Sequence, residues 1–135
     1  MLTTIYIGSD HAGFRIKALI AEHLDELGHT INDMGPDSQA SCDYPDYAHK
    51  VCKAVLANPD SLGILICGTG IGMSMTANKH KGIRAALCTN EFHARMTRLH
   101  NDANVLCLGE RVTGPGVALN LAELFVDTRF EGGRH

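Results

Sequence analysis

The sequence of 135 residues contains no tryptophan, and only 5% of its residues are aromatic. Aromatic platforms that stack the bases of single-stranded nucleic acid are therefore not expected. Positive charge is not in excess either, because 12 Lys and Arg stand against 15 Asp and Glu, for a formal net charge of −3. Such a chain has no broad positive field to attract nucleic acid or an anionic membrane, so an anionic ligand would require a local cluster of donors.

The sequence also lacks a secretory signal and a membrane-spanning run. Its first residues, MLTTIYIGSD, contain neither a basic segment nor a long apolar one, and no apolar run approaches the ~18 residues of a spanning helix. The cysteines are odd in number, form no CxxC pair and lie in a chain large enough to bury a core without disulfides, so we expect reduced thiols. The five cysteines are Cys42, Cys52, Cys67, Cys88 and Cys107. We therefore expect a cytoplasmic protein that binds neither membrane nor nucleic acid.

The length of 135 residues predicts one domain over residues 1–135, and hydrophobic residues, which make up 44% of the chain, are enough for an ordinary globular core. Apolar runs alternate with stretches of helical period, which is the pattern of βαβ units. The predicted strands are 3–8, 30–33, 62–67, 83–88 and 104–108. The predicted helices are 14–27, 45–58, a short one after residue 72 ending near 78, 90–99 and 114–126. This order predicts an α/β fold of three α/β/α layers: a Rossmann-like, doubly wound sheet of five parallel strands.

In such a sheet the ligand lies beyond the carboxyl ends of the strands, and polar residues occur at those positions of the sequence. We expect the residues after strands one, three and five, and those after the fourth helix, to converge on one crevice. These residues are Ser9, Asp10 and His11, then Cys67 and the glycines that follow it, then His100, Asn101 and Asp102, and finally Glu110 and Arg111. Each also has a structural interpretation on its own, such as Asp10 capping a turn.

The glycine loop after the third strand is the sharpest of these features. It reads Gly68-Thr69-Gly70-Ile71-Gly72. Glycines let successive backbone N–H groups approach an anion closely, and the helix that follows favours negative charge at its N-terminus. A Walker A loop would need lysine where Met73 stands, and a dinucleotide fingerprint would need glycine there and an acid at Cys88. Neither nucleotide motif is present, and a tight turn without a ligand remains open.

Two side chains near the loop could carry the chemistry. A thiolate at Cys67 suits removal of a proton α to a carbonyl, with loop N–H groups holding the resulting enediolate oxygen, although a nucleophile of a hydrolase is an alternative. An imidazole at His100 could pass a proton to and from a sugar oxygen. Packing is the interpretation for Cys52, Cys88 and Cys107. No HExxH motif or paired Cys/His spacing is present, so no metal is expected.

The end of the sequence, from Glu131 to His135, is short and rich in glycine. A frayed terminus is the default expectation for such a segment. Against it, Arg134 and Arg111 carry the fork-shaped guanidinium that binds phosphate through two hydrogen bonds at once. The tail is therefore either disordered or part of a phosphate site.

Taken together, these segments resemble the ribose-5-phosphate isomerase B family, the RpiB/LacAB sugar-phosphate isomerases, over nearly the whole chain. The matching segments are 8–14, 43–45, 66–72, 77–79, 82–85, 100–106 and 131–135. The resemblance implies a Rossmann-like fold, no metal or organic cofactor, and a homodimer with shared active sites, while pairing of dimers into tetramers is left open. It implies interconversion of ribose 5-phosphate and ribulose 5-phosphate through a cis-enediolate, a step of the pentose phosphate pathway. The alternatives are an allose-6-phosphate or galactose-6-phosphate isomerase and a non-catalytic phosphosugar-binding protein.

Residue roles follow from the same resemblance. It implies that Cys67 is the base that moves a proton between C2 and C1, with Thr69 beside it. Met73 stands where one branch of the family has a glutamate, which indicates the cysteine branch. The loop residues Gly68, Thr69, Gly70, Ile71 and Gly72 would bind the enediolate.

The remaining implied roles concern the sugar ring and the phosphate. His100 would open the furanose ring with help from Asp10, and Asn101 would contact the sugar. The phosphate-binding positions are His11, Arg111 and Arg134, some of which would reach the site from the partner subunit. Members of the family commonly continue beyond His135 to a second phosphate-binding arginine, so a weaker or differently built phosphate clamp is expected here.

Overall fold

The structure is a computed structural model that describes residues 2–135. Short apolar runs form its strands, as the sequence predicts. The strands are β1 (Thr4–Ser9), β2 (Thr30–Asp33), β3 (Leu62–Cys67), β4 (Ala85–Leu87) and β5 (Val105–Gly109). All pair in parallel, in the order β2-β1-β3-β5-β4. The register sets Ser9 beside Ile66 and Cys67 beside Gly109. The expected five-stranded parallel sheet is confirmed, with β4 shorter than predicted.

Five helices cover the two faces of this sheet. They are α1 (Phe14–Glu26), α2 (Tyr44–Ala57), α3 (Ile71–Ala77), α4 (Glu91–Leu99) and α5 (Pro115–Asp127). Helices α1, α4 and α5 pack together on one face, and α2 and α3 pack on the other. A 3₁₀ turn over His11–Gly13, which was not predicted, links β1 to α1. The three-layer α/β/α architecture is therefore confirmed. No helix within residues 2–135 is both long and apolar enough to cross a membrane.

The central strand β3 is buried along its whole length because helices cover both faces of the sheet. Its side chains alternate between two cores, as the period of two requires. Ile64 and Ile66 pack with α1 and α5, whereas Leu65 and Cys67 pack with α2 and α3. The last side chain of β3 is therefore the sulfur of Cys67, which lies on the α2 and α3 side.

The parallel arrangement gives the sheet two different edges along the strand direction. We call the edge where the strands end the carboxyl edge and the edge where they begin the amino edge. Each helix that connects two parallel strands runs back from the carboxyl edge to the amino edge. The five residues of β5 separate the two edges by about 13 Å at a rise of roughly 3.3 Å per residue.

Candidate active site

Backbone hydrogen bonds hold the segments after β1, β3 and β5 side by side at the carboxyl edge. The N–H of Asp10 donates to the carbonyl of Ile66 at 3.2 Å, and that of Glu110 donates to the carbonyl of Cys67 at 2.9 Å. The N–H of Arg111 donates to the carbonyl of Gly68 at 3.0 Å. The expectation that these three strand ends lie together is confirmed.

The glycine loop adopts a backbone that only glycine accommodates at its centre. Gly70 has a φ of +82°, and a Cβ there would lie 2.5 Å from Leu87 Cδ1 and 2.9 Å from the carbonyl carbon of Leu108. A Cβ on Gly72 would lie 2.7 Å from the ring of Tyr44. The loop is thus packed between the end of β5 and the start of α2, which fixes its N–H groups in place.

The sulfur of Cys67 accepts a hydrogen bond from the loop. The N–H of Gly70 donates to Cys67 Sγ at 3.1 Å, and the side chain is buried, with 5% of the residue exposed. The next amide, that of Ile71, donates to Thr69 Oγ1 at 3.2 Å. The hydrogen bond from Gly70 therefore fixes the Cys67 sulfur beside the N–H groups of the loop.

Three other cysteines are structural. Cys52, Cys88 and Cys107 are buried in the two cores. Burial raises the pKa of the Cys52 and Cys88 thiols to about 11 and raises the pKa of Cys107 as well. These thiols therefore stay protonated at neutral pH, which confirms the interpretation of packing.

Asp10 and His11 follow β1 on one side of the loop. Asp10 Oδ1 accepts hydrogen bonds from the N–H groups of Ala12 at 2.9 Å and Gly13 at 3.1 Å. Asp10 thus caps the 3₁₀ turn, the structural interpretation that the sequence left open, and so fixes the backbone at His11. The His11 ring is exposed, and its Nδ1 lies 3.2 Å from both the nitrogen and the carbonyl oxygen of Cys42.

Arg111 follows β5 on the other side of the loop. A Cβ on Gly68 would lie 3.3 Å from Arg111 Nη1, so the guanidinium covers this glycine. Because β1 and β5 flank β3 in the sheet, His11 and Arg111 stand on opposite sides of Cys67. The carboxyl edge therefore carries a thiol, an amide-lined loop and two groups suited to a phosphate.

His100 and Asn101 lie at the amino edge, which corrects the expectation that residues after the fourth helix share the crevice. His100 directly follows α4, which runs antiparallel to the strands, and the carbonyl of Asn101 accepts a hydrogen bond from Arg84 Nε at 2.7 Å beside the start of β4. Nearby, Asn104 donates its N–H to the Arg84 carbonyl where β5 begins. The length of β5, about 13 Å, separates His100 from Cys67 of the same chain.

The tail is folded against the same amino edge, so the expectation of a frayed terminus is wrong for this structure. The N–H of Glu131 donates to the carbonyl of Leu99 at 3.0 Å. The His135 ring stacks on the His100 ring with centroids 4.1 Å apart and planes 16° from parallel. Arg134 therefore lies near His100 and away from Arg111.

Sequence reasoning assigned no role to two residues that shape the carboxyl edge, Tyr44 and Glu110, although it placed Glu110 among the residues expected in the crevice. Tyr44, at the first position of α2, covers Gly72. Glu110 accepts a hydrogen bond at Oε1 from the N–H of Ile16, 2.9 Å away, and so ties the end of β5 to the first turn of α1. The sequence carried a signal for each, because Tyr44 lies in a segment that resembles the family and Glu110 directly follows a strand.

Comparison with known proteins places this arrangement in a family. The family model for ribose/galactose isomerases matches residues 5–135. Ribose-5-phosphate isomerase B of Escherichia coli is 45% identical over 131 residues, which cover 97% of this chain and 88% of that protein.

Solved structures agree with this match. Ribose-5-phosphate isomerase B of Clostridium thermocellum superposes with a TM-score of 0.95 at 49% identity, covering 98% of this chain and 89% of that one. The Mycoplasma genitalium enzyme with bound ribulose-5-phosphate superposes with a TM-score of 0.94 at 44% identity, covering 99% and 90%. With a match that spans both edges of the sheet and nearly the whole length of these relatives, the chain belongs to the ribose/galactose isomerase family.

Proposed function

We propose that this chain is an aldose–ketose isomerase that interconverts ribose 5-phosphate and ribulose 5-phosphate. The observation that carries this proposal is the buried Cys67 sulfur at the end of β3, which receives the Gly70 N–H at 3.1 Å within an amide-lined loop. Family membership supports the reaction class, and relatives 45% and 44% identical are ribose-5-phosphate isomerase B enzymes. A thiol that can become a base beside fixed N–H donors is what an enediolate mechanism needs.

In the open-chain aldose, Cys67 removes the proton on C2. The electron pair of that bond forms the C1–C2 double bond, and the carbonyl oxygen on C1 becomes an oxyanion that loop N–H groups stabilise. The thiol then returns the proton to C1 while the C2 hydroxyl proton moves to the C1 oxygen, which yields the ketose with no change in composition. A positioned base contributes about 10²–10⁴-fold to the rate, and removal of one oxyanion donor costs about 10²–10³-fold.

Groups on either side of the loop hold the rest of the substrate. His11 and Arg111 bind the phosphate, and the guanidinium provides the charge that a chain of net charge −3 lacks overall. Thr69 is exposed within the loop and contacts the sugar hydroxyls. Asp10 assists ring opening from its capping position.

A second copy of the chain completes the site. His100, Asn101 and Arg134 lie about 13 Å or more from Cys67 along β5, so we propose a homodimer in which the amino edge of one copy faces the carboxyl edge of the other. His100 then exchanges a proton with the furanose ring oxygen, and Asn101 contacts the sugar. The Arg134 guanidinium binds the phosphate together with that of Arg111. Exposed apolar side chains beside the loop support such a contact, since Ile71 and Met75 on α3 are 48% and 65% exposed.

The compartment is also proposed. Cys42, Cys52, Cys67, Cys88 and Cys107 are all free thiols, which fits the reducing cytoplasm. There the reaction would serve the pentose phosphate pathway.

The test is a direct assay of the purified chain with ribose 5-phosphate, in which ribulose 5-phosphate is followed by NMR, with allose 6-phosphate as the second substrate. We expect turnover of the pentose, and a loss of about 10²–10⁴-fold in Cys67→Ala. Cys52→Ala, the same change at a buried thiol away from the loop, is the control and should keep its activity. A wild-type rate in purified Cys67→Ala would exclude Cys67 as the base. Turnover of allose 6-phosphate without turnover of ribose 5-phosphate would make allose 6-phosphate the substrate instead.

A second substrate separates ring opening from proton transfer. His100→Asn should lose activity on ribose 5-phosphate, which is mainly a furanose, yet keep most turnover of a four-carbon aldose phosphate that cannot close a furanose through its phosphorylated hydroxyl. Equal losses on both substrates would assign His100 to the proton transfer or to folding.

A further inference from the structure

Three potential metal ligands meet at the amino edge. His100, Glu131 and His135 each present a ligand atom, and these atoms all lie within 4.8 Å of one another. Among them, His135 Nε2 lies 3.8 Å from Glu131 Oε1. No short spacing motif in the sequence reveals this group, because His100, which directly follows α4, is more than thirty positions from Glu131 and His135 in the tail.

The tail is shaped to hold the group together. The hydrogen bond from Glu131 N–H to the Leu99 carbonyl docks it against the end of α4. Gly132 and Gly133 then have φ values of +75° and +63°, which L side chains rarely adopt, and the His135 N–H donates back to the Gly132 carbonyl at 3.2 Å. This turn returns His135 to His100, and the His135 side chain is only 20% exposed.

The donor chemistry selects a transition metal. Two imidazoles and one carboxylate form the three-ligand set that zinc uses when a fourth position stays open, whereas calcium and magnesium prefer oxygen alone. Bonds of about 2.0–2.1 Å around a tetrahedral ion bring ligand atoms to roughly 3.4 Å from one another. The three ligand atoms are now up to 4.8 Å apart. They reach the tetrahedral spacing when the exposed Glu131 side chain moves and the His135 ring tilts out of its stack on His100.

We propose that His100, Glu131 and His135 bind Zn²⁺ and that the bound ion inhibits the isomerase. The inhibition, unlike the binding, rests on the proposed function, in which His100 exchanges a proton with the ring oxygen. A nitrogen whose lone pair is given to zinc cannot accept or return that proton, so ring opening stops. The site is inhibitory rather than catalytic. Zinc therefore inhibits turnover of a cyclic substrate but not turnover of an open-chain one.

Binding is measured first, by competition with a chromophoric zinc chelator, on a Cys67→Ala background that removes the thiol as an alternative ligand. We expect one zinc per chain. Adding His135→Ala or Glu131→Gln should weaken zinc binding by at least about tenfold. His80→Ala is the matched control, because His80 Nε2 lies 3.0 Å from His49 Nδ1 in a separate pair of histidines. Unchanged affinity in His135→Ala, or a loss confined to His80→Ala, overturns the proposed site.

Inhibition is measured second, on chains that retain Cys67. Zinc should inhibit turnover of ribose 5-phosphate, EDTA should restore it, and His135→Ala should resist zinc more than His80→Ala does. Zinc binding without inhibition would overturn the inhibitory role, although the proposed zinc site would stand. A chain that binds zinc through this cluster yet isomerises no sugar phosphate contradicts the proposed function alone, so the two failures are distinguishable.

Discussion

Mixing two inactive variants tests whether the site is shared between copies. Cys67→Ala removes the base at the carboxyl edge, and His100→Asn removes the ring-opening group at the amino edge. Within one chain these residues are separated by the length of β5, about 13 Å, which exceeds the reach of any hydrogen bond. Each active site of the proposed dimer therefore takes Cys67 from one copy and His100 from the other.

The expected recovery follows from counting sites. A heterodimer of the two variants has one site with both groups missing and one site with both groups intact. Random reassociation of equal amounts gives about half heterodimers, so the mixture should regain about one quarter of wild-type activity from parents that have almost none. The assay is turnover of ribose 5-phosphate before and after mixing, with heterodimer formation followed by native mass spectrometry.

The control pairs two changes at the same edge. Cys67→Ala mixed with Arg111→Ala should show no recovery at low substrate concentration, because both residues serve the site of their own chain and every heterodimer site lacks one of them. Recovery in this control, or no recovery with His100→Asn when heterodimers have formed, would refute the shared arrangement.

Four further results are expected. Arg134→Ala should raise KM at a cost of about 1.5–3 kcal/mol for a charge-assisted contact, and Arg134→Lys should restore only part of it; an unchanged KM would remove the tail from the phosphate site. Gly70→Ala should destabilise the fold by more than about 1 kcal/mol and reduce kcat, because the φ of +82° at Gly70 and the 2.5 Å approach to Leu87 exclude a Cβ. The control is Gly114→Ala, where an added Cβ would have no atom within 4 Å and should change neither quantity. Urea unfolding measures the stability, and rate assays measure kcat. Burial raises the pKa of Cys52 and Cys88 from 9.0 to about 11, so as pH rises these thiols ionise in the unfolded chain before they do in the folded one. The free energy of unfolding should therefore fall as pH rises from about 9 to 11, and it should fall less in Cys52→Ala. Dialysis against EDTA should leave activity undiminished, and a loss restored by a divalent metal would contradict the cofactor-free chemistry.

The sequence by itself determined the layers of the fold and half of the candidate site. Apolar runs such as the one that ends at Cys67 identify buried strands because burial on both faces demands apolar side chains at every position. The glycine loop could be located for a similarly local reason, since the turn into α3 needs a positive φ at Gly70. The positions of Asp10, His11 and Arg111 followed from strand ends that must meet at one edge of a parallel sheet.

Only the tertiary structure decided where the other half of the site lies. His100 lies at the end of α4 much as Cys67 lies at the end of β3, but α4 runs back along the sheet and leaves His100 at the amino edge. The sequence left the tail as either disordered or part of a phosphate site. The structure shows that it is held by the Leu99 carbonyl and the His100 ring, through contacts between segments about thirty residues apart. Periodicity and turn chemistry act over a few neighbouring residues, whereas these contacts depend on chain direction and on packing between distant segments, which no local pattern records.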